Sequence, residues 1–194
     1  FGVPIVGFLI DKFGWSAPFP IFTILGLVIF FIVWRIIPHE DTHHEVTSNS
    51  RDGYRAVFTS IPAMAGISIA MWASAGNELV NIIFGVWLED SFGLKIIALA
   101  GASAVIGISE LSGEGLVAFT TDRLGKPLAL TIGLVGNALA SILLPIIGQT
   151  QTGALIGLFL FYITFEYVMV SHIPLMTELV PSARATMLSI NVTG

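Results

Sequence analysis

Long apolar runs alternate with short polar stops along this chain. Runs of about 20 residues or more occupy 16–37, 61–88, 94–121, 128–147 and 154–176, with shorter ones at 1–10 and from 185 onward. A hydrocarbon layer about 30 Å thick takes about 20 helical residues to cross, whereas a barrel strand takes about 9–11 with strict alternation. The pattern therefore predicts five complete membrane-spanning helices and two partial ones. The stops are compact: Asp11-Lys12-Phe13-Gly14, Glu89-Asp90-Ser91-Phe92-Gly93, Asp122-Arg123-Leu124-Gly125-Lys126-Pro127, and residues 148–153 and 177–184. Pro18 falls in the first turn of its span, where a missing N–H costs little. The 61–88 run exceeds the minimal length, which predicts tilt. Residues 38–60 form the single long polar stretch, rich in turn formers, and read as a linker. The chain starts inside an apolar run without Met and stops about ten residues into another, so it is expected to be an internal fragment.

Composition narrows the class. Of 194 residues, 55% are hydrophobic and 11% charged, with a mean hydropathy of +0.89. Soluble domains carry about a quarter charged residues. Only helices and closed barrels satisfy their backbone in lipid, so the fold class is all-α, a polytopic transmembrane helical bundle. No cysteine is present, which removes disulfides and thiolate chemistry. The net charge is −5 with no basic run, which argues against a nucleic-acid partner. Arg35, Arg51, Arg55, Arg123, Lys126 and Arg184 fall on one side of the expected membrane, Lys12 and Lys95 on the other. Six against two places residues 38–60, 122–127 and 177–184 in the cytoplasm.

Three polar connections, Asp122-Arg123-Leu124-Gly125-Lys126, Glu178 to Ala185 and Val3 to Trp15, resemble those of the major facilitator superfamily. Asp122-Arg123-Leu124-Gly125-Lys126 looks like that family's Gly-x-x-x-Asp-Arg-x-Gly-Arg/Lys signature between its eighth and ninth helices. Ala118 stands where the signature has its first glycine, and Pro127 replaces a second basic residue. Glu178, Pro181, Arg184 and Ala185 resemble the loop before the eleventh helix. Val3-Pro4-Ile5-Val6-Gly7 followed by Asp11-Lys12-Phe13-Gly14-Trp15 resembles the end of the fifth helix and the approach to the sixth, with Val3 and Phe8 at two glycines of the antiporter form. The resemblance implies a partial major-facilitator-like bundle. Residues 1–37 would end the N-terminal half, 38–60 would be the cytoplasmic linker, and 61–194 would be the C-terminal half, from helix seven to the start of eleven. Asp122, Arg123, Gly125, Lys126, Glu178 and Arg184 would form a gating loop whose charges pair in one conformation and separate in another.

Polar residues inside the runs are the candidate chemistry, because a carboxylate in lipid is costly, on the order of 2.5–3.5 kcal/mol at a helix centre. Asn77, Glu78 and Asn81 span an arc of about 100° on one helix. Ser103, Gly107, Glu110 and Glu114 share a stripe within about 60° on the next. Its small residues invite close helix approach, and its two acids stand one turn apart, where a proton on one relieves their repulsion. Glu166 sits mid-span with Tyr162 one turn before it. Given the resemblance, Glu78, Asn77, Asn81, Glu110, Glu166 and Tyr162 are expected to line a substrate and proton site. For Glu166 and Tyr162 a structural bond is the alternative, and for Glu114 an ion pair with a basic loop residue. His172 and the Gly133, Asn137, Ser141 stripe read as structural, and Trp72 as a weak cavity candidate.

The expected activity is secondary active transport of a small solute by alternating access, coupled to protons, in the plasma (inner) membrane. Its partners would be solute, protons, the bilayer and the remainder of the chain, with no cofactor and no enzymatic role. An uncoupled facilitator or a solute sensor of the same fold is the alternative. His39-Glu40-Asp41-Thr42-His43 also matches the zinc-hydrolase pattern His-Glu-x-x-His. That chemistry needs both histidines on one helical face and a third ligand. Here Pro38 precedes the motif, turn formers follow, and no third ligand is evident, so a metal-dependent hydrolase is the remote reading.

Overall fold

The computed structural model describes residues 2–36 and 50–193, all in helices or short connections, with no strand among them. The chain divides into two compact units, residues 1–47 and 48–194.

In the first unit, α1 (Gly2–Phe13) and α2 (Pro18–Ile36) are joined at Gly14, whose φ of +87° only glycine adopts without strain. The Gly14 N–H closes α1 on the Ile10 carbonyl at 2.9 Å, and Trp15 packs edge-on against Phe19. α2 is apolar all the way round, and its large side chains from Phe19 to Ile36 stay exposed. A helix without a polar face needs an apolar surrounding on all sides.

The second unit holds α3 (Ser50–Thr59), α4 (Ile61–Phe92), α5 (Ile96–Leu124), α6 (Lys126–Ile147), α7 (Gln151–Leu179), a short 3-10 turn at Pro181–Ala183, and α8 (Arg184–Thr193). Five helices of the described chain, α2 and α4 to α7, are long and apolar enough to cross a membrane. All five expected spans are there. Each in this unit runs past its apolar stretch at one end or both, because polar residues beyond the hydrocarbon remain helical where water can solvate them. α4 is the extreme case: 32 residues make about 48 Å of helix. Glu89 to Phe92, expected as a turn, form its last turn before Gly93 closes it in the left-handed conformation.

α7 is the central helix, packed against α4, α5 and α6. Its sequence explains that place. Ala154, Gly157, Leu158, Phe161, Tyr162, Phe165, Tyr167, Val168, Ser171, His172 and Met176 are buried around most of its circumference. At one end of the unit Leu88, Leu94, Ala102, Leu158 and Tyr162 share a core. At the other, Val57, Ala63, Met176, Val180, Ala183 and Met187 share a second. Within the polar stretch 38–60, read as a linker, Ser50–Thr59 form the amphipathic helix α3, anchored by Val57. Residues 37–49, with the rest of the expected linker and the His39-Glu40-Asp41-Thr42-His43 motif, lie outside the described residues.

Candidate functional site

Glycines and small residues let α5 and α6 close on α7, and that approach positions the site. On α5 the buried seam is Ala102, Ile106, Ser109, Gly113 and Val117. A Cβ on Gly113 would stand 2.8 Å from the Glu166 Cβ and 2.8 Å from the Ile163 carbonyl oxygen. The expected stripe Ser103, Gly107, Glu110, Glu114 is thus displaced by one residue. It flanks the contact instead of forming it, so Glu110 is half-buried and Glu114 exposed. Among the described residues Glu114 makes no ion pair. The nearest basic side chain on its own helix, Arg123, is about 13 Å further along the axis, so the expected structural pair is not formed.

Glu166 is half-buried on α7, opposite Gly113. Tyr162 is fully buried, and its ring packs edge-on against Phe161 with centroids 5.3 Å apart. Its hydroxyl donates to Asn81 Oδ1 on α4, not to Glu166, so the bond it makes joins two helices in place of the Glu–Tyr bond of the alternative reading. Asn77 presents a buried Oδ1 with no hydrogen-bond partner, and Glu78 is exposed. Tyr162 and Asn81 are bonded, Glu166 follows one turn along α7, and Glu110 stands one turn before Gly113 on α5, with Asn77 and Glu78 one turn from Asn81 on α4. No Lys or Arg occurs in α4 or α7, and in α5 only at its last turn.

Three further contacts fix this stretch; the sequence pattern marks Asn137 and His172 as structural, but not Thr120 with Tyr167. Thr120 donates to the Leu116 carbonyl at 2.6 Å, so in its 2.8 Å contact with Tyr167 the phenol is the donor. Asn137 Nδ2 on α6 donates to the Phe161 carbonyl and to Thr164 Oγ1, both at 3.2 Å. Gly133 faces Tyr167 and Val168, so the small-residue stripe of α6 packs helices, as its composition suggested. His172 is fully buried, with Nε2 3.0 Å from the Gly66 carbonyl on α4. A carbonyl only accepts, which fixes the Nε2–H tautomer and leaves Nδ1 as a buried acceptor without a partner. The Thr120–Tyr167 contact has no signal in the sequence, because a tyrosine in an apolar run gives no period of its own.

A cavity of about 500 Å³ opens between α4, α6 and α7, lined by Leu79, Ile83, Trp87, Phe92, Pro145 and Leu158 among others. None of the acids lines it. Its α4 face lies about 120° around that helix from the Asn77–Glu78–Asn81 arc. Trp72 is exposed. Among the described residues no three His, Asp or Glu side chains converge as a metal site.

At the opposite end of α7, Lys126 pairs with Glu178, tying the first residue of α6 to the end of α7. Gly125 makes the reversal from α5 to α6 with φ +82° and ψ 146°, a region nearly closed to other residues. Asp122, Arg123 and Arg184 are exposed and join no ion pair among the described residues.

The family model for the Major Facilitator Superfamily matches residues 1–194. Two proteins of Bacillus subtilis (strain 168), described as the uncharacterized MFS-type transporters YbcL and YceJ, are each 24% identical to the chain. The first match covers 82% of this chain and 40% of YbcL, the second 98% of this chain and 48% of YceJ. The chain thus spans less than half the length of these relatives. No solved structure matches it.

Proposed function

Because the chain belongs to the major facilitator superfamily, we propose that it is part of a secondary transporter moving a small solute by alternating access, coupled to protons. It is an integral, multi-pass membrane protein, and its family points to transport rather than catalysis. The observation that carries the proton reading is that Glu166 faces Gly113 of α5, one turn from Glu110 and one turn from the Tyr162–Asn81 bond, with no Lys or Arg in α7 and none in α5 before its last turn. An unpaired carboxylate inside a membrane is costly, and binding a proton or a cationic solute group removes that cost. In this cycle the neutralised site is occluded as the two halves of the transporter rock around it.

Lys126 and Glu178 would act as a latch on the same end as Asp122, Arg123 and Arg184. The six-to-two distribution of Lys and Arg supports placing that end in the cytoplasm.

The test uses the intact protein in liposomes, with a panel of amines, amino acids and sugars, with and without an imposed pH gradient. The gradient is expected to drive uptake of at least one solute, and Glu166→Gln or Glu78→Gln to abolish that drive while folding is retained. Gradient-driven flux unchanged in both variants would overturn the assignment. The Tyr162–Asn81 bond favours a second reading, an uncoupled facilitator whose polar groups hold helices together. Uptake indifferent to the gradient in the native protein would select it.

A further inference from the structure

α3 carries a surface that transport does not use. Its inner face is fixed: Val57 is fully buried with Ala63, Met176 and Met187, and a Cβ on Gly53 would lie 2.8 Å from Thr186 Oγ1 of α8. Going round the helix from Val57 at about 100° per residue, Tyr54 stands at about 60°, Phe58 at about 100° and Arg55 at about 160°. Tyr54 and Phe58 are 48% and 57% exposed, and Arg55 is exposed. The order is core, aromatic flank, guanidinium. Arg51 occupies the register position one turn before Arg55. Over residues 50–60 and 181–193 there are three arginines against one acid, Asp52. Asp52 is exposed, and Arg55 makes no ion pair among the described residues.

The position of the helix says what meets this surface. A single residue, Ser60, separates α3 from α4, and its hydroxyl caps the new helix at the Ala63 N–H. The membrane-spanning helix then opens with Ile61, 84% exposed, so two exposed apolar side chains, Phe58 and Ile61, flank the break. Aromatic rings at the boundary of a span and a guanidinium just beyond it match the boundary and headgroup levels of a leaflet. A guanidinium binds a phosphate through two parallel N–H donors.

We propose that the Tyr54–Phe58–Arg55 flank of α3 is a docking surface for the phosphate headgroup of an anionic lipid in the adjoining leaflet. It would hold that end of the C-terminal core against the membrane surface. The inference rests on the membrane-spanning character of α4 and stands whether or not transport is proton-coupled.

The test places the intact protein in nanodiscs of phosphatidylcholine alone or with one-quarter phosphatidylglycerol. Hydrogen exchange of residues 50–60 and the retained lipid by native mass spectrometry are read together. Phosphatidylglycerol is expected to slow exchange there and to be retained over phosphatidylcholine. Arg55→Ala is expected to cut that retention about five-fold, and Arg51→Ala with Arg55→Ala further. Arg55→Lys, which keeps the charge but loses the two parallel donors, is expected to fall between native and Arg55→Ala. Equal exchange and retention in the two lipids, or native retention in the double variant, would overturn the proposal. So would the same protection from inorganic phosphate in phosphatidylcholine discs, which would mark a free-anion site.

Discussion

Tyr162 has one hydroxyl and Asn81 one amide oxygen, and the bond between them is the only side-chain hydrogen bond linking α4 to α7 among the described residues, apart from that of His172 to the Gly66 carbonyl. Interhelical bonds of this kind contribute about 0.6 kcal/mol on average in membranes, rarely beyond about 1.7. Tyr162→Phe and Asn81→Ala should each destabilise the intact protein by about that much. The double variant should lose less than the sum, because both changes remove the same bond. Unfolding in mixed micelles would give the coupling, and strict additivity would mean the bond contributes nothing. Gly113 tests the neighbouring contact. An alanine there meets the Glu166 Cβ and a backbone oxygen, so the helices must part at a cost of about 1–3 kcal/mol. Two residues on, a Cβ at Gly115 meets nothing, and alanine should stabilise by up to about 1 kcal/mol through helix propensity. Opposite signs two residues apart, measured in the same unfolding assay, would confirm that the α5–α7 seam runs through 113.

At the level of elements, the apolar runs announced every span but not where its helix stops. Hydrophobicity reports the lipid-facing length, whereas the backbone stays helical until a glycine or a cap ends it, as at Gly93 and Gly125. The α5 stripe was legible to within one residue. Ser103 and Gly107 advertise a packing face as well as Ala102 and Ser109 do, and only the partner helix decides between them. That single-residue shift moves Glu110 off the seam and Glu114 into the open. α3 was not legible as a helix because polar turn formers surround it and its apolar face is one valine wide. The acids themselves were the clearest signal, since charged residues in apolar runs stand out without any period. Gly125 carries the sharpest element-level prediction. Its φ of +82° with ψ of 146° suits only glycine, so Gly125→Ala should destabilise the α5–α6 reversal by about 1–3 kcal/mol. Faster exchange of the Thr121 to Ala129 amides would report it, and native exchange would show that the reversal has relaxed to another geometry.

For the whole molecule, the Lys126–Glu178 pair matters more than its strength suggests. Its side chains are 35% and 56% exposed, and exposed pairs are worth about 0.2–1 kcal/mol. That is small against a fold but not against a conformational equilibrium, where 1 kcal/mol changes populations about five-fold. A latch of this size can bias a transporter toward one access state and still yield to substrate, whereas a buried pair could not. The pair also spans elements that share no other charged contact among the described residues, joining the α5–α6 reversal to the end of α7. If it is a latch, Glu178→Lys and Lys126→Glu should each shift the closed-to-open ratio of the intact protein by up to about five-fold. The exchanged pair, carrying both changes, should return it to near native. Distances between spin labels on the two halves would read the ratio in liposomes. High salt should mimic the single variants in the native protein, because exposed charges are screened within about 3 Å at 1 M. A ratio indifferent to charge, exchange and salt alike would reduce the pair to a surface contact and leave the gate to the exposed Asp122, Arg123 and Arg184.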